Sequence, residues 1–478
     1  MTDPALLPAT DAMAAMAAGR FGAQDLAAAC LDRIAALNPV LNAIVALCPR
    51  DQIMAQARAA DAARASGTPL GALHGLPIAI KDLAATRGLV TTWGSPIYRD
   101  HIPTRDDLMV ARIRAAGAII IGKTNTPEFG LGSHSFNEVY GTTLNPWDQT
   151  RSAGGSSGGA AVALSARMLP IADGSDMMGS LRNPAAWNAV YGFRPSWGLV
   201  PSDGPGDRFM ATLATNGPMG RTVRDLALLL SVIAGPDPAV PFDRPGADFQ
   251  AALDAPAPGR LRIGWLGDWG GAYATESGIL PLCEAALTRM QDDLGAEIIP
   301  LPPPFPADKL WQSWTGLRAF LNATGRRALA DDPASWAQLK PEMQWEIEQG
   351  RHLTLDALHQ ASLIRTQWYQ CLARLFQQVD LIALPAAQAW PFPAGWRWPQ
   401  QIGDRAMDSY HRWMEVVVPA SLAGLPTLSV PVGFGGPAGR LPMGMQIAGP
   451  VGADARVLHF GHRWNGIEDY SSRLPPVA

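Results

Sequence analysis

Two short apolar runs, Pro77-Ile78-Ala79-Ile80 and Ala118-Ile119-Ile120-Ile121, are each fenced by glycine and charged residues, as expected of strands buried in a sheet. Between them, Asp107 to Ala116 has the amphipathic spacing of a helix. A strand, a helix and a strand in succession predict an α/β layered fold. Arg262 to Leu266, Leu381 to Leu384, Leu428 to Val432 and Met443 to Ile447 supply further strands, and Leu355 to Val379 reads as a long helix. Residues 1–70 read as an N-terminal helical segment, with Leu26, Cys30, Ile34 and Leu37 at helical spacing. The Pro/Gly-rich stretch from Pro236 to Gly259 resembles a linker, yet one domain is expected overall: the helical segment packs on an α/β body over 71–478, with a variable region at about 237–400.

With 478 residues, 47% of them hydrophobic, the chain can bury a large core. Its 38 Lys and Arg against 42 Asp and Glu give no electrostatic reason for a nucleic acid or an anionic membrane as partner, so a small-molecule partner is expected. No signal peptide and no membrane-spanning run are legible, and a soluble, cytoplasmic protein is expected. Cys30, Cys48, Cys283 and Cys371 have no C-x-x-C spacing, which argues for free thiols over a disulfide framework or zinc knuckle.

The segment most suggestive of chemistry is Gly154-Gly155-Ser156-Ser157-Gly158-Gly159. As a phosphate-binding loop it fails, because Ala160 and Ala161 follow where a Lys and a hydroxyl residue are required. It matches G-x-S-x-G at both Ser156 and Ser157, but the polar, turn-like Asn145 to Arg151 stands where a nucleophile elbow needs a buried strand. A flexible Gly/Ser loop is the bland alternative. Ser180 follows the apolar run Met168 to Ala172 and a turn-rich segment from Asp173, and it precedes a short helix over Leu181 to Asn188. It reads either as a helix N-cap or as a nucleophile beside free N–H donors. Lys81 ends its strand as either a desolvated base or a surface lysine paired with Asp82.

Together these segments resemble the amidase signature family across nearly the whole chain. Gly75-Leu76-Pro77-Ile78-Ala79-Ile80-Lys81-Asp82 is similar to its catalytic lysine motif, and Gly122 to Phe129 to its next signature. Gly154 to Gly159 resembles the glycine-serine core, and Gly174-Ser175-Asp176 through Gly179-Ser180-Leu181-Arg182 the nucleophile segment. The carboxyl half agrees at Gly217 to Asp225, Gly424 to Gly433 and Leu441 to Gln446. The resemblance implies a large mixed β-sheet surrounded by α-helices. Ser180 would be the nucleophile, Ser156 a bridging serine after a cis peptide bond, and Lys81 the base. Backbone N–H groups of Met177, Met178, Gly179 and Ser180 would form the oxyanion hole. No cofactor or metal is implied. Met178 stands where the family usually has a glycine.

Three functions follow as expectations. The first is hydrolysis of small apolar amides, anilides or carbamates, as in aryl acylamidase-like or urethanase-like members. The second is the glutaminase subunit of a tRNA-dependent amidotransferase. The third, an inactive scaffold, is disfavoured by the presence of all three catalytic residues. Eight of the sixteen tryptophans fall between Trp311 and Trp398, either lining a substrate funnel or filling a core.

Overall fold

The structure, a computed structural model, describes residues 3–204, 206–256 and 259–477. Two sheets organise the chain. The smaller joins β1 (Ile44–Val45), β2 (Pro77–Lys81) and β3 (Ile119–Thr124), with β3 central, parallel to β2 and antiparallel to β1. Every residue of β2 and β3 is buried, which accounts for their unbroken apolar runs. Helix Leu108–Ala115 makes the β2–β3 crossover and buries Met109, Val110 and Ile113.

The larger sheet has eight strands: β4 (Ile171–Asp176), β5 (Tyr191–Arg194), β6 (Thr215–Gly220), β7 (Arg262–Trp265), β8 (Glu297–Pro300), β9 (Leu381–Pro385), β10 (Thr427–Gly435) and β11 (Leu441–Ala448). Their spatial order is β8-β7-β9-β11-β10-β5-β6-β4, with β7 parallel to both β8 and β9 and the remaining pairs antiparallel. This is a large mixed sheet surrounded by helices. The sheets meet at β4, whose Asp173 Oδ1 accepts the Lys81 backbone N–H at 3.0 Å.

In the amino-terminal part, α1 (Ala9–Ala17), α2 (Ala23–Leu41) and α3 (Arg50–Ala65) carry the expected helices. Leu26, Cys30 and Ile34 of α2 are buried. Asp61 on α3 accepts the N–H groups of Ala23 and Gln24, capping the start of α2 from a neighbouring helix. No helix among the described residues is long and apolar enough to cross a membrane. Cys30, Cys48 and Cys283 are buried free thiols and Cys371 is a half-buried one.

Two local expectations fail. Asp173 to Asp176 is not turn but the last four residues of β4, which runs in register from Thr215↔Asp176 to Gly220↔Ile171 with β6. Its polar composition is tolerated because its carboxylates find buried partners. Likewise Asp148–Ser152 is a strand, although only of a small two-stranded hairpin with Leu144–Asn145. The glycine-serine loop therefore does not leave the main sheet as a nucleophile elbow would.

Candidate active site

Lys81 is 1% exposed, which excludes the surface alternative. Asp82 turns away, accepting from Thr92 N at 3.1 Å and Thr92 Oγ1 at 2.5 Å. The Lys81 amine instead sits among hydroxyls: Nζ is 2.8 Å from Ser156 Oγ, 2.8 Å from Ser157 Oγ, 3.0 Å from Ser175 Oγ and 3.3 Å from the Ser175 carbonyl. Burial pulls its pKa down to about 7, against the opposing pull of Asp173 and Asp176. Burial also pushes Asp173 up to about 6. A neutral amine has two N–H groups and one lone pair. Donation to Ser157 and Ser175 leaves the lone pair for Ser156.

The loop carrying Ser156 is a braced structure, not a flexible linker. Its Gly155–Ser156 peptide is cis. Ser133 Oγ donates to the Gly155 carbonyl at 2.6 Å, Ser135 N–H to the Gly154 carbonyl at 3.1 Å, and Gly158 N–H to Ser135 Oγ at 3.1 Å. His134, between these serines, has Nε2 at 3.0 Å from the Ala394 carbonyl and Nδ1 at 2.8 Å from Ser152 Oγ. The carbonyl can only accept, so Nε2 carries the hydrogen and Nδ1 accepts from Ser152. Gly159 is required by space, since a Cβ there would lie 2.4 Å from Asn125 N. None of Ser133, His134 or Ser135 stood out in the sequence, where S-H-S has no spacing signal of its own.

Ser180 lies in the turn between β4 and the helix Arg182–Trp187 and is 7% exposed. The helix N-cap is Leu181, so capping does not account for Ser180. Asp176 shapes the turn. Its Oδ1 accepts Gly179 N–H at 2.9 Å and its Oδ2 accepts Leu181 N–H at 3.1 Å. Burial opposes ionisation of Asp176, but Arg182 and Arg194 overcome it and hold the carboxyl far below the usual range. Arg182 also donates to Ser421 Oγ, Gln446 Oε1 and the Val417 carbonyl, tying the turn to β11 and to the helical segment over 412–423. The D-x-x-G spacing of Asp176 and Gly179 is a turn-capping signal that the sequence did carry.

Of the four expected oxyanion donors, Gly179 N–H is occupied by Asp176, whereas those of Met177, Met178 and Ser180 have no acceptor among the described residues. Gly179 has φ +82, with Val417 3.0 Å from where a Cβ would stand, so glycine is needed there. Met178 is not among the residues with positive φ, which explains how a methionine replaces the customary glycine. Among the described residues no hydrogen bond joins Ser180 Oγ to Ser156 or Lys81. The structure thus brings Lys81 and Ser156 into contact and sets Ser180 in the turn that follows the adjoining strand. Such contacts commonly tighten only once substrate is bound.

An apolar wall stands beside Ser156. A Cβ on Gly130 would lie 3.3 Å from Ser156 Oγ, and the flanking Phe129 and Leu131 belong to a cluster with Leu339, Met343, Ile347 and Tyr410, to which Trp336 and Trp398 add. Arg318 reaches Met177 Sδ at 3.2 Å, but its charge is spent on Glu346 at 2.6 Å, and it also donates to Tyr410 Oη at 2.7 Å. Of the tryptophans in this part of the chain, Trp314 and Trp368 are fully buried core, whereas Trp336 and Trp398 edge this cluster.

This fold, with a buried lysine against the serine of a glycine-rich loop, defines a class. The chain belongs to the amidase signature family, whose model, described as Amidase, matches residues 25–458. It is 35% identical, over the full length of both chains, to a glutamyl-tRNA(Gln) amidotransferase subunit of Chloroflexus aurantiacus. Among solved structures it is similar to a bacterial aryl acylamidase of the same family (TM-score 0.90, 27% identity, 98% of each chain covered). It also resembles the corresponding glutamyl-tRNA(Gln) amidotransferase subunit of Thermotoga maritima (TM-score 0.75, 26% identity, 95% of each chain). These relatives correct one expectation. The near-balanced charge suggested a chain acting alone on a small molecule with no link to nucleic acid, but its full-length relatives are named as subunits of a tRNA amidotransferase. Overall charge did not register that connection, because net charge reports long-range attraction and not subunit membership.

Proposed function

We propose that the chain hydrolyses C–N bonds of small apolar amides, anilides or carbamates through an acyl- or carbamoyl-enzyme on Ser180. Ser180 Oγ attacks the carbonyl carbon and passes its proton to Ser156, whose own proton moves to neutral Lys81. The oxyanion is met by the N–H groups of Met177, Met178 and Ser180. Collapse expels the amine, which takes its proton back from Ser156 as Lys81 replenishes it, and water then releases the acyl group by the same relay. The contact that carries this reading is the 2.8 Å approach of the buried Lys81 amine to Ser156.

Preference for apolar substrates is supported by the wall over Phe129–Leu131 and by the mutual pairing of Arg318 and Glu346, which leaves neither to hold an amino acid's carboxylate or ammonium. Arg318, Trp336, Glu346 and Trp398 all come from 237–400, in keeping with a substrate funnel built by that region of a single domain. A second reading, the glutaminase subunit of a tRNA-dependent amidotransferase, is favoured by the full-length 35% identity to the Chloroflexus protein. Comparing kcat/KM for an aryl carbamate, an anilide, a primary amide, a peptide amide and glutamine separates the two. Glutamine is expected to be poorer than the anilide by about ten-fold or more, the cost of a polar substrate group left unpaired. Glutamine preferred by that margin, or glutaminase activity that emerges only with a co-purifying protein, would replace the first reading with the second.

A further inference from the structure

Away from Ser180, a surface cleft of about 430 Å³ is bordered by Trp197, Arg244, Ser362, Arg365, Thr366 and Tyr369. Lys81, Ser156 and Ser180 do not line it. Ser362, Arg365, Thr366 and Tyr369 are spaced i, i+3, i+4 and i+7 on the helix Leu355–Leu375, so one helical face presents two hydroxyls, a guanidinium and a phenol side by side.

Neither arginine is in an ion pair among the described residues. Arg365 is half-buried and donates only to neutral groups: Nε to the Leu422 carbonyl at 2.7 Å, Nη1 to Thr212 Oγ1 at 2.6 Å and Nη2 to the Thr212 carbonyl at 3.2 Å. No carboxylate pairs with it among the described residues, and the charge it acts on is that of another cation, Arg194. Burial alone draws Arg365 down to about 10. Arg244 donates Nε to the Trp197 carbonyl at 2.8 Å, and its terminal nitrogens have no hydrogen-bond partner among the described residues. Asp454 is the carboxylate whose charge Arg244 feels, but its oxygens are hydrogen-bonded by Ser196 N and Oγ and not by the guanidinium. A guanidinium drawn out of water without an anion, as Arg365 is, is unfavourable, and its planar fork matches an oxyanion.

The rim is aromatic. Tyr369 is 50% exposed, and from Trp197 a line of rings runs outward through Phe242 (5.7 Å) to Phe209 (5.4 Å), both of them more than half exposed. We propose that this cleft is a second binding site, for a small oxyanion carried on a flat apolar body, in which Arg244 and Arg365 grip the anion and Trp197 and Tyr369 flank the body. Aryl carboxylates have this chemistry, whereas inorganic phosphate supplies the anion alone.

The test is calorimetric titration of the full-length Ser180→Ala chain with benzoate and, separately, with inorganic phosphate, repeated with Arg244→Gln or Arg365→Lys added. One equivalent of benzoate is expected to bind and to raise Tm. Phosphate is expected to bind more weakly, and each arginine change to weaken benzoate at least about ten-fold. Arg244→Gln in the otherwise wild-type chain is expected to keep its amide turnover, showing that the fold is intact. Absence of saturable benzoate binding, or binding indifferent to both arginine changes, would overturn the site. Phosphate binding as tightly as benzoate would overturn the aromatic part of the proposal.

Discussion

Replacing Ser180 by alanine is expected to abolish labelling by a fluorophosphonate probe and to lower turnover by about 10⁴-fold or more, the scale on which hydrolases lose rate when the nucleophile is removed. The comparison that gives this result its force is Ser157→Ala. Both Ser156 and Ser157 lie 2.8 Å from Lys81 Nζ, so distance to the base does not distinguish them. What does is the fate of their hydroxyl hydrogens. Ser157 Oγ donates to the Ser175 carbonyl at 3.4 Å and so acts as a fixture for the amine, whereas Ser156 has no second acceptor among the described residues and is free to receive from Ser180. Ser157→Ala is therefore expected to keep labelling and most of its turnover, and Ser156→Ala to lose kcat with little change in KM. Labelling that survives in Ser180→Ala and disappears in Ser157→Ala would transfer the nucleophile to the glycine-serine loop.

The parts of this arrangement that were legible in the sequence are those in which local pattern and tertiary role coincide. Lys81 ends an apolar run that is a buried strand, and an amine at such a place has few surroundings other than the interior. The Gly154–Gly159 loop and Ser180 stood out because glycines and hydroxyls occur there at recognisable spacing. The family resemblance also gave the mixed sheet, which strand periodicity alone would not have ordered. What stayed hidden depends on partners far along the chain. Gly174-Ser175-Asp176 has turn composition and Gly217-Pro218 has breaker composition, yet they pair as neighbouring strands, because the buried Arg182 and Arg194 neutralise the Asp176 that local propensity counts against a strand. The Ser133–His134–Ser135 brace was equally silent, since its acceptors lie about twenty residues away in Gly154 and Gly155 and, through His134, at Ala394. The family resemblance implies Gly179 as an oxyanion donor. Only the carboxylate of Asp176, folded back onto it, shows where that N–H goes.

The acid limb of the pH–rate profile should report Lys81. The amine works as a base only when neutral, and burial brings its pKa to about 7. Lowering the pH below that value protonates Nζ, so kcat/KM should fall by about ten-fold per pH unit, and raising the pH above 7 should bring it to a plateau. A lysine acting through its positive charge would give the opposite slope, with activity lost as pH rises, so the sign of the limb decides between the two roles. Lys81→Met, which keeps the length of the side chain and removes the base, is expected to lower kcat by about 10²- to 10⁴-fold with KM little changed. An unaltered rate and pH profile in that variant would remove Lys81 from the mechanism. Asp173 supplies a finer check. Its carboxylate favours the charged amine and so raises the Lys81 pKa, while its Oδ1 also holds the Lys81 backbone N–H. Asp173→Asn keeps an oxygen for that hydrogen bond but removes the charge. The acid limb should then move to lower pH, extending activity into a range where the wild-type amine is protonated. A limb that stays in place or moves to higher pH would mean that the titrating group is not Lys81.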